Sequence, residues 1–146
     1  MIRKYQDDDT DAIIDVWFKA TRLAHPFLSE DFLAEEVQNI RKIYLPNTET
    51  WVLEDGGHLV GFISLIHHGR GDIEVGAIFL DPARHGCGLG KALMDRAVTL
   101  HRRLKVDVFK DNKIGRRFYD GYGFIFSHEY VFERTGDAVL QLTYGI

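Results

Sequence analysis

A glycine-rich turn between a strand-like run and a helix-like run is the feature that most constrains the fold of this chain. The turn, Pro82–Lys91, separates the apolar run Ile73–Leu80 from a helical pattern that begins at Leu89. Its alternating glycines allow positive φ angles and let a ligand approach the backbone amides closely. The first turn of a helix adds unpaired N–H donors and a positive dipole end. The turn therefore predicts an anion site such as a pyrophosphate site, and a plain helix entry is the alternative.

The composition indicates one globular domain over residues 1–146. Of the 146 residues, 45% are hydrophobic and 27% are charged, which suits a domain with its own core. The formal net charge of −4 argues against a broad nucleic-acid-binding surface. No apolar run is long enough to span a membrane, and the amino terminus lacks a signal-peptide core. We expect a cytoplasmic monomer or homodimer that binds neither nucleic acid nor membrane.

The cysteine and the histidines do not show the spacing of a typical metal site. Cys87 is the only cysteine, so an internal disulfide and a cysteine-based zinc site are both excluded. His67 and His68 are adjacent in a strand-like run, which places their side chains on opposite faces, and the other histidines are scattered. We therefore expect no metal site. Because Cys87 has no evident His/Asp partner, we interpret it as a small turn residue rather than a nucleophile.

Hydrophobic periodicity predicts an α+β fold with a mixed, mostly antiparallel central sheet and about four flanking helices. The strand–helix–strand unit from Ile73 to Phe109 predicts a parallel pair with a right-handed crossover. The second helix begins at Ser29 and should end before Pro46. The remaining predicted elements are a strand at Ile2–Gln6, a helix after Thr10, paired strands at Thr50–Glu54 and His58–Ile66, a short helix at Asn112–Tyr119, and strands at Phe124–Phe126 and Ala138–Leu142.

Two segments in a fixed order resemble the GNAT superfamily of acetyl-coenzyme A (acetyl-CoA) dependent N-acetyltransferases. Phe79–Pro82 leading into His85–Gly90 is similar to the family motif of Gln or Arg, two residues, Gly, one residue, then Gly or Ala. Asn112–Phe124 matches the segment Asn-x-x-Ala-x-x-Phe-Tyr-x-x-x-Gly-Phe in register. His25–Ser29 and Tyr44–Pro46 resemble the small bacterial YjaB-type branch. The resemblance covers essentially the whole chain and implies a GNAT-like fold, with a parallel pair splayed around the coenzyme A site.

The resemblance also implies which residues contact acetyl-CoA, the expected co-substrate. Two positions depart from the family pattern: His85 stands where Arg or Gln is usual, and Gly115 replaces Ala. Asn112 is expected to contact the pantetheine arm or to cap the short helix. The implied coenzyme A contacts are Ile78, Phe79, Leu80, His85, Gly86, Cys87, Gly88, Leu89, Gly90, Lys91, Asn112 and Tyr119.

The chemistry of acetyl transfer to an amine needs a base for the amine and an acid for the leaving thiolate. The resemblance assigns the acid to Tyr119. Glu74 lies eleven residues before His85, the offset at which many members of the family carry a glutamate, so the resemblance makes it the candidate base, directly or through water. A carboxylate on an apolar strand is costly unless it functions or is paired, but a solvated strand-end carboxylate is the alternative. On an ideal strand Glu74 would share a face with Ile78 and Leu80.

The predicted function is N-acetyl transfer from acetyl-CoA to a primary amine of a small molecule or peptide. The alternative is a non-catalytic acyl-CoA binding or sensing module that keeps the glycine-rich turn. A nucleotide-binding P-loop is disfavoured because Lys91 is followed by Ala92 instead of Ser or Thr. The resemblance places the acceptor side in or near the region of Arg22, His25, Phe27 and Tyr44, whose roles the sequence does not assign.

Overall fold

A computed structural model describes all 146 residues and shows one seven-stranded mixed sheet. The strands lie in the spatial order β1-β2-β3-β4-β5-β7-β6. Every neighbouring pair is antiparallel except β4 and β5, which are parallel, so the predicted fold class is confirmed. The strands are β1 (Ile2–Lys4), β2 (Glu49–Asp55), β3 (His58–His67), β4 (Ile73–Leu80), β5 (Leu104–Phe109), β6 (Ile125–Phe132) and β7 (Asp137–Tyr144).

Four helices flank the sheet, as predicted: α1 (Thr10–Ala24), α2 (Glu30–Asn39), α3 (Leu89–His101) and α4 (Lys113–Tyr122). The expected stop before Pro46 is wrong, because α2 continues through a π-helical turn and a last turn at Leu45–Asn47. Pro46 lies directly after the π-helical turn, near the carboxyl end of the helix, and it removes only the one hydrogen bond that its missing N–H would have made. No helix has the length and apolar character required to cross a bilayer.

The helices cover the two faces of the sheet in pairs and form two buried clusters. On one face, α3 packs through Leu93, Met94 and Ala97 against strand residues such as Leu65 and Val106, with Tyr119 of α4 in the same cluster. On the other face, the buried residues of the cluster come from α1, α2 and the turns after it, and from two strands: Ile13, Val16, Trp17, Leu33, Ile40, Leu45, Val52 and Phe62. The sheet is thus the middle layer of three.

The parallel pair separates soon after it forms. β4 and β5 pair only at Glu74 with Lys105 and at Val75 with Val106. Beyond Val75 the two strands diverge, so the backbone groups of β4 that face β5 have no strand partner there. This splay, which the family resemblance implied, opens a cleft at the carboxyl ends of both strands.

A β-bulge at Gly76 changes the face of the sheet on which Glu74 lies. Ser64 of β3 pairs with Ala77, whereas the next residue, Leu65, pairs with Val75, so Gly76 is an extra residue in β4. Because the bulge shifts the alternation by one, the expected shared face of Glu74 with Ile78 and Leu80 is wrong. Ile78 and Leu80 pack on the α3 side, and Glu74 faces the α1 side with Ala77 and Phe79.

Candidate active site

A cleft of about 820 Å³ runs from the glycine-rich turn through the splay of β4 and β5 to α1 and α2. Of the residues predicted to contact coenzyme A or to act in catalysis, Cys87 alone does not line it. Those that do are Glu74, Ile78, Phe79, Leu80, His85, Gly86, Gly88, Leu89, Gly90, Lys91, Asn112 and Tyr119. The fold therefore brings the two sequence motifs and Glu74 to one cavity.

The glycine-rich turn presents consecutive unpaired amides at the start of α3. None of the six N–H groups from Gly86 to Lys91 donates to an acceptor of the protein. Gly86 and Gly88 have φ angles of 80° and 76°, a conformation that side chains with a Cβ rarely adopt. A Cβ at either position would meet nothing within 4 Å, so the space in front of these amides is open. Unpaired amides at a helix amino terminus fit a phosphate or pyrophosphate group.

The side chains of the turn add little to this anion site. His85 lines the cleft and is exposed. Arg84 is bound to Asp55, and Lys91 Nζ lies 2.9 Å from Asp95 Oδ2. Cys87 is exposed, with Sγ 3.8 Å from the carbonyl oxygen of His85. The site depends mainly on the backbone.

Backbone amides of β4 also point into the splay. The N–H of Asp81 donates to the carbonyl oxygen of Val60 at 2.8 Å, so the N–H of this residue points toward β3. Because N–H directions alternate in an antiparallel pair, the amides of Ile78 and Leu80 point the other way, toward the cleft. They are available to a carbonyl oxygen of a ligand.

Tyr119 is buried at the floor of the cleft on α4. The residue is 8% exposed, and its ring packs edge-on against Phe118 and Phe124. The hydroxyl makes no hydrogen bond with the protein, and burial raises the pKa of the phenol well above its usual value. The phenol is therefore protonated at neutral pH, and its O–H is available to a ligand.

Glu74 lies near the start of the cleft and is hydrogen-bonded at its exposed end. Its Oε1 is 2.8 Å from Nε2 of His68, and the two side chains are 22% and 40% exposed. The half-exposed His68 ring connects the carboxylate to solvent. Glu74 is thus neither a free strand-end carboxylate nor a deeply buried one.

Asn112 caps α4. Its Oδ1 accepts a hydrogen bond of 2.9 Å from the N–H of Gly115, and the side chain is 8% exposed. A Cβ on residue 115 would lie 2.5 Å from Nδ2 of Asn112, so glycine leaves room for the capping amide. The predicted cap is confirmed, and Asn112 also lines the cleft.

Only two of the four residues expected on the acceptor side line the cleft. His25 and Tyr44 do so, whereas Arg22 is bound to Glu30 at 2.5 Å and Phe27 packs against Phe109. Burial lowers the pKa of His25 to about 4, so the ring is neutral at pH 7. For Tyr44, burial and a hydrogen bond to Glu36 raise the pKa to about 12.

Sequence reasoning missed three polar residues of the cleft. Tyr130 on β6 donates to Asp107 Oδ2 at 2.7 Å, and both side chains line the cavity beside Glu74. Burial, then that hydrogen bond, raises the pKa of Tyr130 above its usual value. Thr21 Oγ1 is the one buried side-chain polar atom without a hydrogen-bond partner. Alternation along β5 could have indicated Asp107, but the contact of Tyr130 on β6 with Asp107 on β5 depends on sheet order.

Comparisons with known proteins identify sequence relatives of this chain among acetyltransferases. The model of the acetyltransferase (GNAT) family matches residues 12–124. Peptidyl-lysine N-acetyltransferase YiaC of Escherichia coli strain K12 is 34% identical over 124 residues, which cover 85% of this chain and 82% of the relative.

Solved structures show the same fold along nearly the full length. The solution structure of apo YjaB from Escherichia coli has a TM-score of 0.83 at 26% identity, covering 99% of this chain and 96% of that one. The paiA N-acetyltransferase of Thermoplasma acidophilum, solved with coenzyme A, has a TM-score of 0.79 at 19% identity, covering 99% and 98%. With the family model and the YiaC match, the resemblance stated from the two motifs is confirmed: this chain belongs to the GNAT family of acetyl-CoA-dependent acetyltransferases.

Proposed function

We propose that the enzyme transfers the acetyl group of acetyl-CoA directly to the ε-amine of a lysine in a peptide or protein. One observation carries the proposal: a turn with six unpaired amides borders a single cleft, and that cleft also contains a buried phenol without a partner and a carboxylate that is hydrogen-bonded to a half-exposed histidine. Side chains of α1 and α2 line the half of the cleft that would take the acceptor. Relatives such as YiaC are named peptidyl-lysine N-acetyltransferases.

The glycine-rich turn would hold the pyrophosphate of acetyl-CoA. The six N–H groups from Gly86 to Lys91 supply donors, and the dipole of α3 adds a positive potential. The pantetheine arm would then enter the gap between β4 and β5. There it would take the place of the strand partner that the amides of Ile78 and Leu80 lack. Asn112 lines this path.

A cleft-facing amide of β4 polarises the thioester carbonyl. As the amine nitrogen bonds to the carbonyl carbon, the oxygen gains negative charge, and a fixed N–H stabilises that charge without reorganisation. Ile78 and Leu80 carry the two amides with the required direction. The carbon–sulfur bond then breaks, and the electron pair leaves on sulfur.

Glu74 and His68 remove the proton from the amine. A lysine ammonium with a pKa of about 10.4 is neutral in only about one molecule in a few thousand at pH 7, so a base raises the reactive fraction. Glu74 accepts this proton directly or through a water molecule. The contact with His68 gives the proton a route to solvent, because that ring is 40% exposed.

Tyr119 donates to the departing sulfur. Burial disfavours a phenolate, but it disfavours a free thiolate in the same cavity for the same reason, so proton transfer removes one buried anion as it forms another. Solvent at the cleft restores the phenolic proton after coenzyme A leaves. The net reaction converts acetyl-CoA and lysine ammonium into acetyl-lysine, coenzyme A and one proton.

An acceptor screen tests the proposal. Purified protein is incubated with isotope-labelled acetyl-CoA and with lysine peptides, peptides with a free α-amine only, polyamines and aminoglycosides. Thiol release gives the rate, and mass spectrometry locates the label. We expect label on lysine side chains at a rate well above that of the enzyme-free control.

Tyr119→Phe is the matched control for non-enzymatic acetylation of lysine. We expect this variant to bind coenzyme A but to lose most of the lysine labelling. Label confined to α-amines or small amines would overturn the assignment of the acceptor. Equal labelling by wild type and Tyr119→Phe would overturn the assignment of the acid.

A further inference from the structure

We propose that Glu49, His67 and His101 form a transition-metal site, best suited to Zn²⁺, on the sheet outside the acetyl-transfer cleft. Glu49 Oε1 lies 2.7 Å from His67 Nε2 and 2.9 Å from His101 Nε2. The three potential ligand atoms lie within 4.8 Å of one another, and none of the three residues lines the cleft. The inference is independent of the proposed acceptor, and it revises the expectation of no metal site.

Ends of three regular elements hold the three side chains. Glu49 begins β2, His67 ends β3, and His101 ends α3. Glu49 pairs with Leu65, so His67, two residues further along β3, points to the same face. Leu65 is buried in the cluster that also contains residues of α3, and this packing holds the end of the helix over the two strand ends. A site supported by helix and strand ends is largely preformed.

A second contact orients the carboxylate. Trp51 Nε1 donates to Glu49 Oε2 at 2.8 Å, which leaves Oε1 directed at both imidazoles. Outer hydrogen bonds of this kind fix the orientation of metal ligands. The Glu49 side chain is 16% exposed and His101 is 19% exposed, so both are shielded from bulk water.

The donor set favours zinc over harder cations. Two imidazole nitrogens and one carboxylate oxygen form a typical three-ligand zinc set with a fourth, open position. Mg²⁺ and Ca²⁺ prefer all-oxygen sites. Tetrahedral zinc separates neighbouring ligand atoms by about 3.3 Å, which is about 0.5 Å more than the distances from Glu49 Oε1 to the two imidazole nitrogens. His67 is 50% exposed, which allows that movement and leaves solvent access to the fourth position.

Metal titration of protein without an affinity tag tests the site at neutral pH. Isothermal titration calorimetry with ZnCl₂ should give one ion per chain, and Co²⁺ should give the intense visible absorption of a four-coordinate site. His67→Gln removes an exposed ligand without disturbing the core, and we expect at least a tenfold loss of Zn²⁺ affinity. His128→Gln changes an exposed histidine outside the cluster and should leave affinity unchanged.

Thermal unfolding provides a second readout. Excess Zn²⁺ should raise the Tm of the wild type and of His128→Gln by a few degrees, but not that of His67→Gln, because an ion that binds only the folded state stabilises it. Absence of saturable Zn²⁺ binding would overturn the proposal, leaving a hydrogen-bonded His–Glu–His cluster. Binding that survives both His67→Gln and Glu49→Gln would also overturn it.

Discussion

Replacing Tyr119 by phenylalanine should separate catalysis from stability, because the structure gives the hydroxyl no structural role. The group makes no hydrogen bond with the protein, and its pKa is raised by burial alone. Its removal costs no intramolecular hydrogen bond, so we expect the free energy of unfolding to change by no more than about 1 kcal/mol. The ring contacts with Phe118 and Phe124 remain.

The expected effect on catalysis is much larger. A general acid contributes about 10²-fold to 10⁴-fold in rate, which corresponds to about 3 to 5 kcal/mol of transition-state stabilisation. We therefore expect kcat of Tyr119→Phe to fall by that factor, while the Kd for coenzyme A changes less than threefold. Thiol release from acetyl-CoA with a lysine peptide measures kcat, calorimetry measures the Kd, and urea unfolding measures stability.

Tyr122→Phe is the control, since it removes a hydroxyl from the same helix. Tyr122 donates to Asp95 Oδ1 at 2.6 Å and does not line the cleft. Losing this hydrogen bond should cost about 1 kcal/mol of stability and leave kcat unchanged. The two variants should thus show opposite patterns. A Tyr119→Phe enzyme with kcat within threefold of the wild type would refute the role of the phenol.

Three further predictions concern the base, the anion site and the acceptor side. Glu74→Gln should lower kcat/KM strongly at pH 7 and weakly at pH 10, where lysine loses its proton unaided, and an unchanged pH–rate profile removes Glu74 from the mechanism. Glu129→Gln is the matched control, since it changes an exposed glutamate of β6 outside the cleft. His85→Arg should tighten coenzyme A binding by about threefold in calorimetry at low salt, since an exposed arginine adds a charged contact worth under about 1 kcal/mol, and weaker binding would contradict this. For His25, burial lowers the pKa to about 4 from an unfolded value near 6.5. The unfolded state therefore binds more protons between these values, so the free energy of unfolding should decrease by up to about 3 kcal/mol as pH falls from 6.5 to 4. His25→Gln should flatten that part of the profile in urea unfolding, and an unaltered slope would show that His25 titrates normally.

Most of the fold follows from local patterns in the sequence. β4 spans Ile73–Leu80, α3 begins at Leu89 and β5 ends at Phe109, as predicted, because apolar runs and turn residues mark these bounds locally. The strands of the last hairpin are longer than the sequence predicts. β6 extends from Ile125 to Phe132, although nearly all of its side chains are exposed, so hydrophobic periodicity carries no signal there.

Contacts between residues that are far apart in the sequence could not be predicted from local patterns. His67 and His101 are separated by 34 positions and join Glu49 only because α3 packs back across β2 and β3. The pairing of Tyr130 with Asp107 likewise depends on β7 lying between β5 and β6. The glycine-rich turn is recognisable because the anion site that we propose there consists of backbone amides of one continuous segment.

The bulge at Gly76 determines how the proposed base, Glu74, lies relative to the proposed carbonyl donors, the amides of Ile78 and Leu80. Without the extra residue, Glu74 would face α3, among Leu93 and other apolar residues of that cluster, where an unpaired carboxylate costs several kcal/mol. With it, Glu74 faces the α1 side and reaches His68, while Ile78 and Leu80 pack under α3 and turn their amides into the splay. A single inserted residue thus places the proposed base and the proposed carbonyl donor at the same cleft, although they lie on one strand. Gly76 also suits the position sterically, since a Cβ there would lie 2.8 Å from Cδ1 of Ile66.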